Sequence, residues 1–299
     1  MNTKGVLLAT VIVGARLFGS ALAQETTSAD ACNRACLRSF VDRYFDALVK
    51  HDPSKLAISS SVKFTENGKQ IMLGEGLWKT AGEPTFRLEI FDPETGGAAV
   101  EAVLRENNSL ITFFLRLKVE DQKISEVETL VSRKGDSPVW APETLTEQSA
   151  HFTRTIRPAE RDSRFDLIAA ADAYWRAMET MGTPEYYRPP LLPDTERYEN
   201  GLKTTNVAFK DGKPQTAAQQ FDEAVFPKVR VYDRRYPVVD EERGIVVSIV
   251  RFGSKTGDAT KSPGAKRPFI AEFFAVTGGR IREIHAVIAG IPQSTPSGW

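Results

Sequence analysis

The sequence predicts an α+β fold made of two similar units in tandem, because one short motif recurs and the same elements surround both copies. Phe-Thr-Glu-Asn-Gly at residues 64–68 returns as Arg-Tyr-Glu-Asn-Gly at residues 197–201. A helical pattern precedes each copy and a β-rich stretch follows it. Internal similarity of this kind is typical of repeated structural units. In each unit we expect helices first and then a curved antiparallel sheet, which together form a cone with one open mouth.

The elements of the two units are predicted in the same order. Apolar residues at helical spacing occupy residues 40–48 in the first unit and 168–178 in the second. Aromatic and β-branched residues over 111–128 and 269–285 are each interrupted by a short turn sequence, which is typical of a hairpin. The offset between the copies grows along the chain, so the second unit is expected to contain insertions.

Composition changes divide the chain into four segments. Residues 1–23 are interpreted as a signal peptide and residues 24–132 as the first cone-shaped unit. Residues 133–161 are rich in Pro, Ser, Thr and Glu and are interpreted as a linker. The second cone-shaped unit then occupies residues 162–299.

Export is predicted by the N-terminus. Lys4 precedes an apolar run over residues 5–15, and Ala-Leu-Ala at residues 21–23 is typical of a cleavage site before Gln24. The run is too short to span a bilayer, so we expect a secreted or periplasmic chain with no membrane anchor after cleavage. Basic and acidic residues number 39 each, and no nucleic-acid-binding motif is present, so nucleic acid is not an expected partner.

Cys32 and Cys36 are the two cysteines of the chain. In an exported protein such a pair is expected to form a disulfide, and their spacing places them on one helix face. The three histidines, His51, His151 and His285, are far apart in sequence, although folding can bring distant residues together. Neither a metal nor a cofactor is expected.

The order of these motifs resembles the nuclear transport factor 2-like superfamily, and within it the SnoaL-like polyketide-cyclase branch. The likeness includes the repeated Glu-Asn-Gly and the Leu-Gly-Glu-Gly-Leu-Trp-Lys-Thr run at residues 73–80. Residues 233–244 and the terminal Pro-Ser-Gly-Trp look like motifs of a family of secreted two-unit proteins. The resemblance implies a cone with an apolar interior for a small hydrophobic ligand, and cofactor-independent chemistry. It also implies units paired through their sheets as a pseudo-dimer, with further assembly into a homo-oligomer left open.

His285 is the first catalytic candidate. Strand alternation places Glu283 and His285 on one face, where the carboxylate can orient the imidazole and raise its basicity. The aligned residues of the first unit are Glu126 and Glu128, so the histidine is particular to the second unit. If this face is exposed to solvent, the pair merely solvates the strand.

Glu272 and Arg235 are the other catalytic candidates. Glu272 lies in an apolar strand, where a carboxylate is expected to be paired, protonated or functional. An ion pair with Arg251 is the alternative. Arg235 follows Asp-Arg and can clamp an oxyanion, with a salt-bridge cluster involving residues 240–243 as the alternative.

The remaining candidates are ligand-binding side chains. Tyr174 on the second helix can stack on an aromatic ligand, with a core position as the alternative. Tyr186 and Tyr187 lie in a proline-rich loop that can form a lid. Asp233 belongs to the Asp-Arg-Arg-Tyr cluster. Glu199 belongs to the repeated motif, whose presence in both units also favours a structural turn.

We therefore expect a cofactor-independent lyase or isomerase whose second unit acts by acid–base chemistry on a small hydrophobic or aromatic compound, such as a plant- or lignin-derived phenolic. The alternative is a non-catalytic secreted or periplasmic binding protein for a small hydrophobic ligand. The enzyme hypothesis requires Glu272, Glu283 and His285 to converge in one pocket. The first unit has Arg116 near the place of Glu272 and is expected to be a structural partner.

Overall fold

The structure is a computed structural model, and the predicted signal peptide after Met1, with its cleavage site, lies outside the residues it describes. Within the described residues, no helix has both the length and the hydropathy that crossing a membrane requires. The description covers Met1 and residues 32–208, 212–226, 229–254 and 265–299.

The first unit is one long helix followed by a six-stranded sheet of order β2-β1-β6-β5-β4-β3. β1 and β6 pair in parallel, and the other neighbouring strands pair antiparallel. The bounds are α1 Arg34–Val49, β1 Ile58–Glu66, β2 Lys69–Gln70, β3 Ala81–Asp92, β4 Gly97–Glu106, β5 Ser109–Glu120 and β6 Lys123–Ser132.

The second unit repeats this topology strand for strand, with sheet order β8-β7-β12-β11-β10-β9 and a parallel β7–β12 pair. The prediction of an α+β fold with two similar units is therefore confirmed. The bounds are α3 Arg164–Thr180, β7 Leu191–Glu199, β8 Leu202–Lys203, α4 Ala217–Asp222, β9 Val229–Asp240, β10 Ile245–Ser254, β11 Lys266–Thr277 and β12 Arg280–Pro292. The short helix α2, Ala150–Thr153, lies between the units.

Each long helix begins at a side chain that caps it. Asn33 Oδ1 accepts a hydrogen bond from the Cys36 amide at 3.0 Å, and Ser163 Oγ accepts one from the Asp166 amide at 3.2 Å. Such caps satisfy amides that have no partner within the helix. A disulfide joins Cys32 to Cys36 at the start of α1, with a Cα–Cα distance of 5.2 Å.

The repeated Glu-Asn-Gly forms a tight turn in both units. Asn67 and Asn200 have φ values of 49° and 46°, and each is followed by a glycine at positive φ. Two consecutive positive φ values match the turn that joins twisted antiparallel strands. The Asn67 side chain donates to and accepts from the Val131 backbone at 3.0 and 2.8 Å, and Asn200 does the same with Ile288 at 3.0 and 2.9 Å. The motif thus fastens the turn to the last strand of its own sheet.

The two sheets pack against each other on the faces opposite their helices. One buried apolar cluster contains side chains of both sheets, including Phe114 and Phe273, whose ring centroids are 5.9 Å apart. Two further clusters join each long helix to the inner face of its own sheet. A sheet residue therefore faces either its own helix or the other sheet, and strand alternation decides which.

The segment after each final strand crosses to the other unit. After β6, the Ala141 amide donates to the Asn200 carbonyl at 3.0 Å. After β12, the Trp299 indole donates to Thr65 Oγ1 at 2.9 Å. The turn of each unit is therefore covered by chain that follows the other unit.

Candidate functional site

A cavity of about 410 Å³ lies between α3 and the inner face of the second sheet. The segment between the units, α4 and strands β7, β10, β11 and β12 all contribute walls. The lining residues are Ser137, Pro138, Val139, Tyr174, Trp175, Met178, Arg197, Glu199, Thr204, Gln215, Gln220, Val225, Phe226, Phe252, Pro268, Ile270, Glu272 and Ile288. A small number of polar groups among apolar and aromatic walls is typical of a site for a small molecule.

A larger depression on the first unit differs in character. Its volume is about 690 Å³, and its lining includes the exposed polar residues Ser60, Glu120 and Lys123. Exposed side chains keep their hydration, so they cannot create the low-dielectric environment in which pKa values shift. The second-unit cavity is therefore the candidate site.

Arg197 on β7 is the charged centre of the cavity and is only 2% exposed. Its Nε donates to Thr204 Oγ1 at 3.0 Å and lies 3.5 Å from a carboxylate oxygen of Glu199. Its Nη1 donates to the Tyr174 hydroxyl at 3.4 Å and its Nη2 to Gln220 Oε1 at 2.5 Å. Every nitrogen of the guanidinium thus has a protein partner.

Glu272 on β11 is the second buried charge centre and is 3% exposed. Burial is the main cause that raises its pKa well above the usual value for a glutamate, and the nearby charge of Glu199 raises it further. Arg197 and a hydrogen bond from Tyr174 oppose this shift without cancelling it. Burial therefore favours the protonated form of Glu272, which can donate a proton, more than it would for an exposed glutamate.

Aromatic side chains surround these polar groups. The Tyr174 ring lies 5.2 Å from Trp175, edge to face, and packs on Phe274 at the same distance. The Trp175 indole nitrogen donates to Ser248 at 3.1 Å, so its polar edge is satisfied inside the protein. Burial raises the pKa of the Tyr174 hydroxyl, which keeps it protonated.

The first unit has apolar residues where the second has its buried charges. Phe64 stands three residues before Asn67, as Arg197 stands three before Asn200. The β5–β6 and β11–β12 hairpin registers place Leu115 where Glu272 stands, and Arg116, which was expected near that place, is the next residue along the strand. Arg116 faces the other sheet instead.

The first unit has a tryptophan in its buried apolar cluster. Glu66 occupies the place of Glu199, and its carboxylate accepts the Leu77 amide at 2.8 Å. This bond holds a short 3-10 helix, Gly76–Lys79, whose Trp78 is 1% exposed and packs on Tyr44 with ring centroids 5.3 Å apart. In the first unit a buried tryptophan thus packs against a tyrosine of the long helix.

His285 lies on the opposite side of the sheet from the cavity. Its Nδ1 is 2.7 Å from Glu101 of the first unit, and its Nε2 is 3.1 Å from Glu283. Burial would lower the pKa of His285, but the two carboxylates outweigh it and raise the pKa to about 9. The expected convergence of His285 and Glu283 with Glu272 does not occur, because neighbouring positions on paired strands alternate between faces.

This cluster is closed by the segment between the units. Ser149 Oγ donates to Glu283 at 2.5 Å, and the Phe152 ring packs edge-on against the His285 ring at 5.0 Å. The imidazole is protonated near pH 7 with both nitrogens in use, so it has no lone pair with which to act as a base. The geometry favours a structural bridge between the sheets for His285 and Glu283.

Arg235 and Asp233 also lie away from the cavity. Arg235 forms a two-point ion pair with Glu128 of the first sheet, at 3.0 and 2.5 Å. Asp233 lies 3.6 Å from Arg251. The expected alternative of an Arg251–Glu272 ion pair is wrong, because the two side chains lie on opposite faces of the sheet.

The two loop tyrosines line other surfaces. The Tyr186 hydroxyl donates to Asp222 at the end of α4, at 3.1 Å, and burial with this contact raises its pKa. Tyr187 is 47% exposed, and the Arg176 guanidinium lies 5.4 Å from its ring centroid. Among the candidate binding residues, the cavity is lined by Tyr174 and Glu199.

Sequence reasoning missed Arg197 and Gln220, which connect the polar groups of the cavity. A signal for Arg197 exists in the repeat itself, since an arginine replaces the phenylalanine of the first copy. Gln220 has no such signal, because α4 is particular to the second unit. Within the described ranges, no group of three or more His, Cys, Asp or Glu residues could hold a metal ion.

Comparison with known proteins gives a family match for the second unit. Residues 160–288 match the family described as "Domain of unknown function (DUF8021)". No functionally curated protein matches the chain.

Several solved structures are similar to part of the chain. A protein of unknown function with a cystatin-like fold from Methylobium petroleophilum PM1 is 13% identical, with a TM-score of 0.32 over 36% of this chain and 84% of that one. A proposed ketosteroid isomerase from Kribbella flavida DSM 17836 is 19% identical, with a TM-score of 0.27 over 40% and 93%. A proposed polyketide cyclase from Silicibacter sp. tm1040 is 17% identical, with a TM-score of 0.27 over 32% and 88%.

Proposed function

We propose that the protein is an exported, cofactor-independent acid–base enzyme, an isomerase or lyase, whose second unit acts on a small hydrophobic compound. The observation that supports it is the placement of Glu272 in an aromatic cavity beside the Arg197–Glu199 pair. A cone-shaped second unit with one mouth would admit such a compound.

Glu272 is the group that moves the proton. A 1,3-shift of a proton, or the elimination of a small group, needs one residue that can give a proton and take one back. A carboxylic acid whose pKa lies nearer neutrality does both more effectively than an ordinary surface glutamate. The aromatic walls keep water away from the intermediate and preserve this shift.

Arg197 and Tyr174 have supporting roles. The Tyr174 oxygen accepts a hydrogen bond from Arg197, and its own hydrogen is donated to Glu272, so Tyr174 orients the carboxyl group that transfers the proton. Arg197 holds this hydroxyl and also compensates the charge of Glu199. Both residues therefore orient the site while Glu272 performs the proton transfer.

A deuterium-exchange screen tests this function. The purified chain is incubated in heavy water with pooled aryl ketones, cyclic enones, lactones and phenols, and each compound is examined by mass spectrometry for deuterium uptake, isomerisation or loss of a fragment. Parallel samples contain Glu272→Gln, or Glu147→Gln as a control at an exposed glutamate. We expect at least one compound to react, with a loss of about 100-fold or more in Glu272→Gln and parental activity in the control.

Two results would contradict the proposal that the protein is an enzyme acting through Glu272. One is a Glu272→Gln variant as active as the parent, which would place the chemistry elsewhere. The other is a compound that co-purifies with the chain but never changes in mass. That second result would favour the alternative, a binding protein for a small hydrophobic ligand.

A further inference from the structure

We infer that the second-unit cavity selects an uncharged, flat hydrophobic molecule and binds a single carbonyl or hydroxyl oxygen of it beside Glu272 and Tyr174. The inference rests on the proposed function in taking this cavity as the site. It adds the charge of the ligand and the group by which the ligand is held.

Among the described residues that line the cavity, Arg197 is the one cationic side chain, and it is already paired. All three nitrogens of Arg197 are engaged, by Thr204, by Tyr174 and by Gln220. Two carboxylates, Glu199 and Glu272, face that single guanidinium. A ligand carboxylate or phosphate would bring a third acidic group into a buried space and lose its hydration, and the described lining residues offer it no second cation.

A cationic ligand meets a similar obstacle. Its charge would lie beside the guanidinium of Arg197, which is itself buried and stacks 4.9 Å from the Phe226 ring centroid. The pairing of Glu199 with Arg197 already uses one of the two carboxylates. Moving an ammonium out of water into this site would therefore be costly unless Glu272 gave up its proton.

The polar groups of the cavity lie close together, and the rest of the cavity wall is mainly apolar. Arg197 contacts both Glu199 and Tyr174, and Glu272 joins them through Tyr174. Trp175, Met178, Phe226, Phe252, Ile270 and Ile288 form apolar parts of the lining. A molecule with one oxygen on a fused-ring body matches this division, because the oxygen accepts from the acid while the rings displace water from the aromatic walls.

The first unit indicates which substitution of Glu272 removes the carboxyl group that is proposed to bind the ligand oxygen. Leu115 stands in the position of Glu272 in an otherwise similar sheet, and it is fully buried. Glu272→Leu is therefore a replacement that this fold already accommodates at the same register. Glu272→Gln is the matched variant that keeps a hydrogen-bond donor in place.

Four probes with the same naphthalene body test the inference by isothermal titration calorimetry at pH 7. The probes are 2-acetylnaphthalene, naphthalene, 2-naphthoate and 2-naphthylmethylammonium. We expect 2-acetylnaphthalene to bind at least tenfold more tightly than either charged probe and several-fold more tightly than naphthalene. In Glu272→Leu its affinity should fall to that of naphthalene, while Glu272→Gln should stay within about threefold of the parent.

The inference is overturned if 2-naphthoate or the ammonium probe binds as tightly as the ketone. It is equally overturned if the ketone has no advantage over naphthalene, or if none of the four probes binds. Circular dichroism on both variants establishes that any loss of affinity belongs to a folded chain. Selective binding without turnover would refute the proposed enzymatic function and leave this inference standing. Turnover restricted to charged compounds would support an enzymatic function and refute this inference.

Discussion

Glu272 of the second sheet and Leu115 of the first occupy the same register position, five residues before equivalent hairpin turns. Both are buried on the face that packs against their own helix. In the first unit Leu115 belongs to a continuous apolar core, whereas in the second unit Glu272 borders a cavity. Divergence at this one position gives the first unit a continuous apolar core and the second unit a cavity with a buried carboxyl group.

Replacing Glu272 by glutamine should stabilise the protein at alkaline pH. Because the pKa of Glu272 is higher in the folded chain than in the unfolded chain, the folded state retains a proton that the unfolded state releases. The stability of the parent should therefore fall as pH rises above the ordinary glutamate range. We expect Glu272→Gln to be more stable by about 1–3 kcal/mol at pH 8 and close to the parent at pH 4.

Urea unfolding of both proteins between pH 4 and pH 9 measures this difference. Glu147→Gln serves as the control, because an exposed carboxylate should leave the pH dependence unchanged. A Glu272→Gln variant that is less stable than the parent throughout would show that Glu272 is held as a favourable carboxylate.

His285 should stabilise the packing of the two sheets most strongly at acidic and neutral pH. Its folded pKa of about 9 lies above the unfolded value near 6.5, so its contribution is complete below about pH 6.5 and is lost as pH rises through 9. The stability difference between the parent and His285→Gln should shrink over this window by about 3 kcal/mol at most. Unfolding curves at half-unit pH steps measure it.

The single variant His285→Gln can fail to fold, because removing the imidazole leaves Glu101 buried without its partner. The double variant His285→Gln/Glu101→Gln removes this buried charge as well and is measured beside it. Turnover in the folded variants should equal that of the parent, because His285 does not line the cavity. A variant with intact stability but no activity would restore His285 to the catalytic site.

Much of the fold follows from the sequence because its signals are local. The Asn-Gly pair at Asn67 and again at Asn200 requires backbone angles that few residues adopt, and both turns form as predicted. The hairpins at 111–128 and 269–285 follow from alternation and turn residues. A repeated local signal makes two independent predictions of the same element, so each copy supports the other.

The site was harder to predict, because alternation says which residues share a face but not what that face contacts. Glu283 and His285 do share a face, yet this face packs on the first sheet, so Glu101 across the interface became the decisive partner. Glu101 is 184 residues away from His285 in sequence, and no local pattern links them. The sequence did contain a signal for Arg197, because an arginine stands there in place of the Phe64 of the first copy. That signal can be interpreted only once Arg197 and Glu272 are seen to line the same cavity.

The two asparagines of the repeated motif should differ in their contribution to stability. Asn200 exchanges bonds with Ile288 and in addition accepts from Thr112 of the first unit at 2.8 Å. Asn67 bonds Val131 within its own unit. Substitution by glycine keeps the positive φ and removes only the side chain, so we expect a loss of about 2–4 kcal/mol for Asn200→Gly and about 1–2 kcal/mol for Asn67→Gly. Equal losses in urea unfolding would show that the bond to the other unit contributes nothing.

Trp299 should hold the C-terminal segment on the first unit through its ring and its indole nitrogen. The ring centroid lies 4.1 Å from the Lys63 ammonium and 4.4 Å from the Arg116 guanidinium, and the indole donates to Thr65. Trp299→Phe keeps an aromatic face and loses the hydrogen bond, so its stability should fall by about 1 kcal/mol, against about 2–3 kcal/mol for Trp299→Ala. Thermal and urea unfolding measure both variants beside Phe165→Ala, which removes a ring that is 78% exposed and should change stability by less than about 0.5 kcal/mol. If Trp299→Ala changes the free energy of unfolding no more than this control does, the ring does not hold the segment in place. The contacts between Trp299 and the two basic side chains then make no net contribution to stability.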